Sequence, residues 1–328
     1  MRRIAAALSF PLLAVLLLAG CGSSSAGGSN PNGSVAVSGA FGAAPTVKIP
    51  TLKAGSTLAI KTLIKGTGPV LGASDSFVGN YAVYIWSGTT HKQVLSTFQT
   101  GSPQVLAANV GLVGLKQALT GARMGSRVLA VLPPKDAYGA QGNTQIGVKP
   151  TDTIVFVVDL IKDISPTTAA SGKPVSNGGG ALPTVTAPTT PGSAPLVKIP
   201  SKKKPPHKLV VKTLIKGSGP PTRKGQTVVT EYVGLNWRTH KAFDSSWSRH
   251  QPFGFQLDAT PAQIIPAWDK GLKGVPVGSR VMLIVPPADG YGKTGNSQAG
   301  KIVFSAVLLA RAVSPLSMTA DRRCRQRA

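Results

Sequence analysis

The chain has 328 residues, with 36 lysines and arginines against 11 aspartates and glutamates, and a formal charge of +25. That length allows about two domains; the 38 glycines and 27 prolines indicate some linker, while the 42% hydrophobic content supplies real cores. Two cysteines, Cys21 and Cys324, are too few for a disulfide framework or a cysteine-rich zinc site.

Arg2 and Arg3 precede an apolar run from Ile4 to Ala19. A basic start followed by an apolar run too short to span a bilayer well reads as an export signal over residues 1–20. The ending Leu18-Ala19-Gly20-Cys21 resembles a bacterial lipobox. That implies a lipid-modified Cys21, an extracytoplasmic protein anchored to the cell membrane, and a flexible tether over residues 21–45. Export removes nucleic acid as a partner for the positive charge. Without Arg2 and Arg3 the charge is +23, which at a cell envelope would favour anionic lipid or wall polymer. The plainer reading is a solvated basic surface with no dedicated ligand.

The chain then repeats itself. Val47-Lys48-Ile49-Pro50 recurs as Val197-Lys198-Ile199-Pro200, and Lys61 through Gly66 recurs as Lys212 through Gly217. Gly125-Ser126-Arg127-Val128 recurs as Gly278 through Val281, and Tyr138-Gly139 as Tyr291-Gly292. The offset of 150 to 153 residues is too long for a solenoid and indicates two copies of one domain. These are assigned to residues 46–165 and 196–314. Residues 166–195, rich in Thr, Gly, Pro and Ala, read as a linker, and 315–328 as a basic disordered tail. In copy two the β-branched and apolar runs predict strands at 208–216, 227–235, 253–257, 280–285 and 301–313. One short helix is predicted over Gln263–Lys273, stopped near Gly274, with its counterpart over Val113–Leu119 in copy one. The class is α+β: an antiparallel sheet with a short helix packed on one face.

Copy two carries an ordered set of motifs: Glu231-Tyr232-Val233-Gly234, Ala242-Phe243-Asp244-Ser245-Ser246, Pro252-Phe253-Gly254-Phe255, and Ile264-Ile265-Pro266-Ala267-Trp268. Val277-Gly278-Ser279-Arg280, Val285-Pro286-Pro287, Gly290-Tyr291-Gly292 and Ile302-Val303-Phe304 follow. The set resembles the FKBP-type peptidyl-prolyl cis-trans isomerases, and both copies together bring about 240 residues under the resemblance. It implies, for each copy, a five-stranded antiparallel half-barrel wrapped around the short helix, with a proline pocket between them. It implies Trp268 as the pocket floor and Tyr232, Phe243, Phe253, Ile264, Ile265 and Phe304 as walls. It further implies Asp244 as the pocket carboxylate, Arg249 as its basic partner, and the Tyr291 hydroxyl and Ile265 N–H as donors to substrate carbonyls. The partners implied are proline-containing exported polypeptides, whose folding the protein would assist.

The residue types suit that chemistry. An X-Pro bond rotates over a barrier of about 18–20 kcal/mol because amide resonance must be broken. No nucleophile, metal or cofactor is required; a dry aromatic pocket that favours the twisted, less charge-separated amide is enough. A gain of about 10³–10⁴ in rate corresponds to only about 4–6 kcal/mol. The histidines, His91, His207, His240 and His250, have no metal-site spacing.

Each copy departs from the pattern. Copy one has Val94-Leu95-Ser96-Thr97 for the Phe-Asp-Ser-Ser motif, Leu115 for Trp268 and Gly111-Leu112 for the Ile pair, so weak or absent catalysis is expected there. Copy two has Gln263 before the Ile pair, and only 13 positions from Tyr291 to Phe304 where Tyr138 to Phe156 spans 18, so its flap is short. Two other readings stay open: a non-catalytic peptide-binding chaperone, and a structural protein that binds anionic envelope polymers.

Overall fold

The computed structural model describes residues 31–108, 111–176 and 178–292, together with the backbone of the strand Ile302–Arg311. Residues 1–30, which include Cys21 and most of the segment expected to be export signal and tether, and residues 312–328, which include the tail expected over 315–328, lie outside the described residues.

Both copies have the same antiparallel sheet. In copy one the strand order is Ala59–Ile64, Arg127–Leu132, Thr153–Ile164, Ser76–Ser87, Thr90–Ser96. The twelve-residue strand Ser76–Ser87 is long enough to take two partners on one edge: Thr90–Ser96 along its second half and Gln104–Ala107 along its first. In copy two, Thr227–Asn236 likewise pairs with Ala242–Ser245 and Phe253–Gln256. Each copy therefore contributes six strands rather than five, because a turn interrupts the edge strand. Ala242–Ser245, missing from the strands expected from apolar runs, is the extra piece; it is only four residues long and half polar.

The helices are Val113–Leu119 and Pro266–Leu272. The second starts three residues later than expected because Pro266, with its fixed φ and no N–H, belongs at the first helical position. Gly274, at φ +79°, follows the end as a left-handed stop. Gly114, Leu115, Ala118 and Leu119 form the buried face of one helix, and Ala267, Trp268, Gly271 and Leu272 that of the other. Each packs on one face of its sheet.

The glycine that ends the repeated six-residue segment has a structural cause. Gly66 and Gly217 lie so close to the following turn that a methyl group would sit 2.1 Å from Met124 O and 2.2 Å from Val277 O. Their N–H groups donate to the buried Ser126 and Ser279 hydroxyls, each at 2.9 Å. This docking requires glycine at one end and Gly-Ser at the other, so both fragments recur together.

The other sheet face is covered by segments expected to be free. Of the tether, residues 31–45 are described and they are structured. Ala36–Ser38 pairs with Thr46–Lys48, and this hairpin lays Val35, Val37, Val47 and Ile49 over Trp86, Leu129, Val131 and Val155. In the segment assigned as linker, Thr184–Thr186 pairs with Leu196–Lys198 and packs Val185 and Ile199 onto Trp237, Met282 and Ile284. Lys173–Pro174 adds a seventh strand to the second sheet. A sheet with apolar residues on both faces cannot leave one face in water. Trp86 and Trp237 are buried and donate Nε1–H to Leu52 O at 2.9 Å and Lys203 O at 3.1 Å. The repeat is thus longer than the sequence matches indicated, and Val-Lys-Ile-Pro belongs to the second strand of the cover in each copy. The copies also touch: Val78, Ile164 and Val229 are fully buried together, and Thr227 Oγ1 donates to Pro103 O at 3.0 Å.

Candidate active site

In copy two, four aromatic rings meet between the helix and the sheet. Trp268, from the buried helix face, lies 5.1 Å from Tyr232, 5.9 Å from Phe253 and 5.2 Å from Phe255, centroid to centroid, in edge-to-face packing. Such pairs contribute about 0.5–1.5 kcal/mol beyond simple burial and fix ring orientation. Trp268, Tyr232 and Phe255 are buried; Phe243, Phe253, Ile264 and Ile265 are half-buried and form the surface above them. Ile265 is the residue before the helix, with extended backbone, so its amide stands outside the helical hydrogen-bond ladder.

The polar group sits at one end of this surface. Tyr232 hydroxyl donates to Asp244 Oδ2, Arg249 Nη1 pairs with Asp244 Oδ1, and Arg249 Nη2 donates to the Tyr232 oxygen at 3.0 Å. The guanidinium also lies over the Tyr232 ring, 5.6 Å from its centre. Burial, and then the bond to Asp244, push the Tyr232 hydroxyl up to about 12, so it stays protonated and donating. Tyr291 is 41% exposed at the rim; burial of its inner part and the Asp244 charge raise its pKa.

A buried latch holds Asp244 in place. Ser246, two residues on, donates to Glu231, accepts from Tyr232 N–H at 2.7 Å, and returns its own N–H to Tyr232 O at 3.0 Å. Glu231 is buried, which raises its pKa. Copy one has the same latch in uncharged form: Thr97 donates to Asn80 at 3.0 Å and accepts from Tyr81 N–H at 2.9 Å.

Comparison with known proteins settles the family. A sequence profile for FKBP-type peptidyl-prolyl cis-trans isomerase matches residues 75–161 and 219–309, just over half of the chain. The chain belongs to the FKBP-type peptidyl-prolyl cis-trans isomerases. It is 42% identical over 105 residues to an FK506-binding protein of Streptomyces anulatus, covering 32% of this chain and 82% of that one. It is 37% identical over 87 residues to FkpA of Escherichia coli, covering 26% of this chain and 30% of FkpA. Against the crystal structure of FkpA the TM-score is 0.30, with 34% identity, over 33% of this chain and 49% of that chain.

Within this family frame, the structure brings Tyr232, Phe243, Phe253, Ile264, Ile265 and Trp268 into one packed cluster, with Asp244 and Arg249 paired at its end. By backbone register Phe304 lies opposite Gly234 and Leu283; its side chain and the short flap, residues 293–301, lie outside the described residues. Phe255, not among the expected site residues, packs on both Trp268 and Phe253; alternation along its strand, which puts it on the same face as Phe253, is the signal that could have found it. The Glu231–Ser246 latch was not anticipated either, since it joins residues 15 apart across two strands.

Copy one has the same frame and keeps Tyr81 and Tyr138, but not the acid or the other rings. By register, Leu95, 44% exposed, stands where Asp244 does, and Gln104 and Leu106 stand where Phe253 and Phe255 do. Leu115 replaces the Trp268 floor and is 1% exposed.

Proposed function

We propose that copy two carries the prolyl isomerase centre of this chain and that its surface of Phe243, Phe253, Ile264 and Ile265 over Trp268 receives the substrate proline. The observation that carries this is the Tyr232–Asp244–Arg249 group, held at the edge of an apolar aromatic surface. A proline ring against these aromatics is removed from water, which weakens the solvent's preference for the planar, charge-separated amide. The Ile265 N–H and the Tyr291 hydroxyl hold the carbonyls that flank the twisting bond. Asp244 keeps Tyr232 oriented and keeps polar groups at the margin of the apolar surface. The half-barrel description fits this use, since the helix and sheet would enclose the ring from two sides.

Copy one keeps Tyr81 and Tyr138 but lacks the acid and the rings of Phe243, Phe253, Phe255 and Trp268, and we assign it weak or no turnover, with a role as spacer or docking module. The export signal and Cys21 support a lipid-anchored protein at the outer face of the cell membrane, acting on exported polypeptides. The charge of +23 would hold it near anionic lipid or wall polymer. A second reading, a peptide-binding chaperone without turnover, is favoured by the substitutions in copy one. A protease-free proline isomerisation assay on the whole chain separates the two. Catalysis that Phe243→Ala and Asp244→Ala each reduce supports the enzyme. A folded chain with no rate above background, yet able to bind unfolded polypeptide, supports the chaperone.

A further inference from the structure

Copy one contains a buried ion pair on the sheet face away from its helix. Arg127 and Asp159, 1% and 0% exposed, pair through two bonds of 2.6 and 2.8 Å. The loop of the covering hairpin seals them. Gly39 O and Ala43 O accept from the guanidinium at 3.0 and 2.7 Å, and Gly42 N–H donates to Asp159 at 2.7 Å.

Copy two repeats this arrangement without the acid. Arg280 follows the same Gly-Ser turn as Arg127 and is 5% exposed. Its cross-strand partner is Val307, where Arg127 faces Asp159. The hairpin loop is present, with Gly192 at φ +78° in the place of Gly42 at φ +83°. Between loop and guanidinium lies a cavity of about 400 Å³, lined among others by Thr168, Thr189, Pro191, Ser193 and Trp247. Among the described residues no acidic side chain lines it. The Arg280 Nε is buried with no hydrogen-bond partner, and no ion pair reaches the group among the described residues. A guanidinium keeps its proton, so its charge must find a partner or remain unsatisfied.

We propose that this cavity is a carboxylate-binding site, in which Arg280 takes the carboxylate of a ligand from outside the domain with the two-pronged geometry that Arg127 makes with Asp159. The hydroxyls of Thr168, Thr189 and Ser193 supply further donors, and Pro191 and Trp247 form an apolar wall for the rest of the ligand. The site is separate from the proline surface, on the opposite face of the sheet. A free small organic acid and the carboxy-terminus of a polypeptide present the same group.

The whole chain is titrated at constant ionic strength with acetate, with N-acetylalanine as a miniature chain terminus, and with N-acetylalaninamide, following heat of binding and the thermal midpoint. Saturable binding of the carboxylates, with no effect of the amide, is expected; a tighter N-acetylalanine points to chain termini, and equal affinities to small acids. Arg280→Met should abolish the response and still fold, because it removes an unpaired charge. Val307→Asp places an internal carboxylate in the register of Asp159; it should raise the thermal midpoint and also abolish the response. No response in the unaltered chain, an equal response to the amide, or a response that survives either substitution would overturn the assignment. If Arg280→Met does not fold, Val307→Asp decides alone.

Discussion

Replacing Asp244 by leucine gives copy two the residue that copy one already has at Leu95. Asp244 accepts from Tyr232 and from Arg249. Arg249 is 45% exposed on its side chain and can turn to water, so its loss of a partner costs at most about 1 kcal/mol of stability. Tyr232 cannot turn away, because its ring is packed on Trp268 and Phe253. A buried hydroxyl that loses its acceptor costs about 1–3 kcal/mol. If that cost falls on the orientation needed in the transition state, kcat/KM drops by roughly 10- to 100-fold, at about 1.4 kcal/mol per factor of ten. The same change removes a group that raises the Tyr232 pKa and leaves Arg249, which lowers it. Its titration, about 12 in the unaltered chain, should therefore move down toward the ordinary value of 10.0. Isomerisation is followed with a chromogenic prolyl peptide without protease, and tyrosinate by ultraviolet absorbance. An unchanged rate together with an unchanged titration would refute the role given to the clamp.

Arg127→Met in copy one strands Asp159 in a dry site, and denaturant unfolding should show about 3–5 kcal/mol lost; the double change Arg127→Met, Asp159→Val should recover most of it. Glu231→Gln should stabilise copy two at pH 7. Burial raises the Glu231 pKa, so ionisation costs stability as pH rises through the interval above the ordinary glutamate value of 4.5. The difference from the unaltered chain should vanish below that interval, as thermal midpoints across pH 3–8 would show. Trp86→Ala, beneath the first hairpin, should cost about 3–5 kcal/mol, measured by the same denaturant unfolding, and loosen residues 31–50 to proteolysis.

The sequence alone determined the duplication, the α+β class, the helix positions and the aromatic composition of the second site. These are carried by local signals: Pro266 and Gly274 around a helix, β-branched runs in strands, and motifs whose order survives in the chain. Tertiary structure decided what depends on meeting across strands. Phe255 becomes part of the site only because its strand lies beside Thr227–Asn236, and Ser246 reaches Glu231 only through that same pairing. The low-complexity segments hide their strands for a related reason. A stretch such as Ala36–Ser38 has too few apolar residues to declare itself a strand, yet an uncovered sheet face with Trp86 on it supplies the missing apolar partner. Copy one's Asp159 and copy two's Val307 are single letters in similar strands. Only the register against Arg127 and Arg280 turns that difference into a satisfied charge in one copy and an open one in the other.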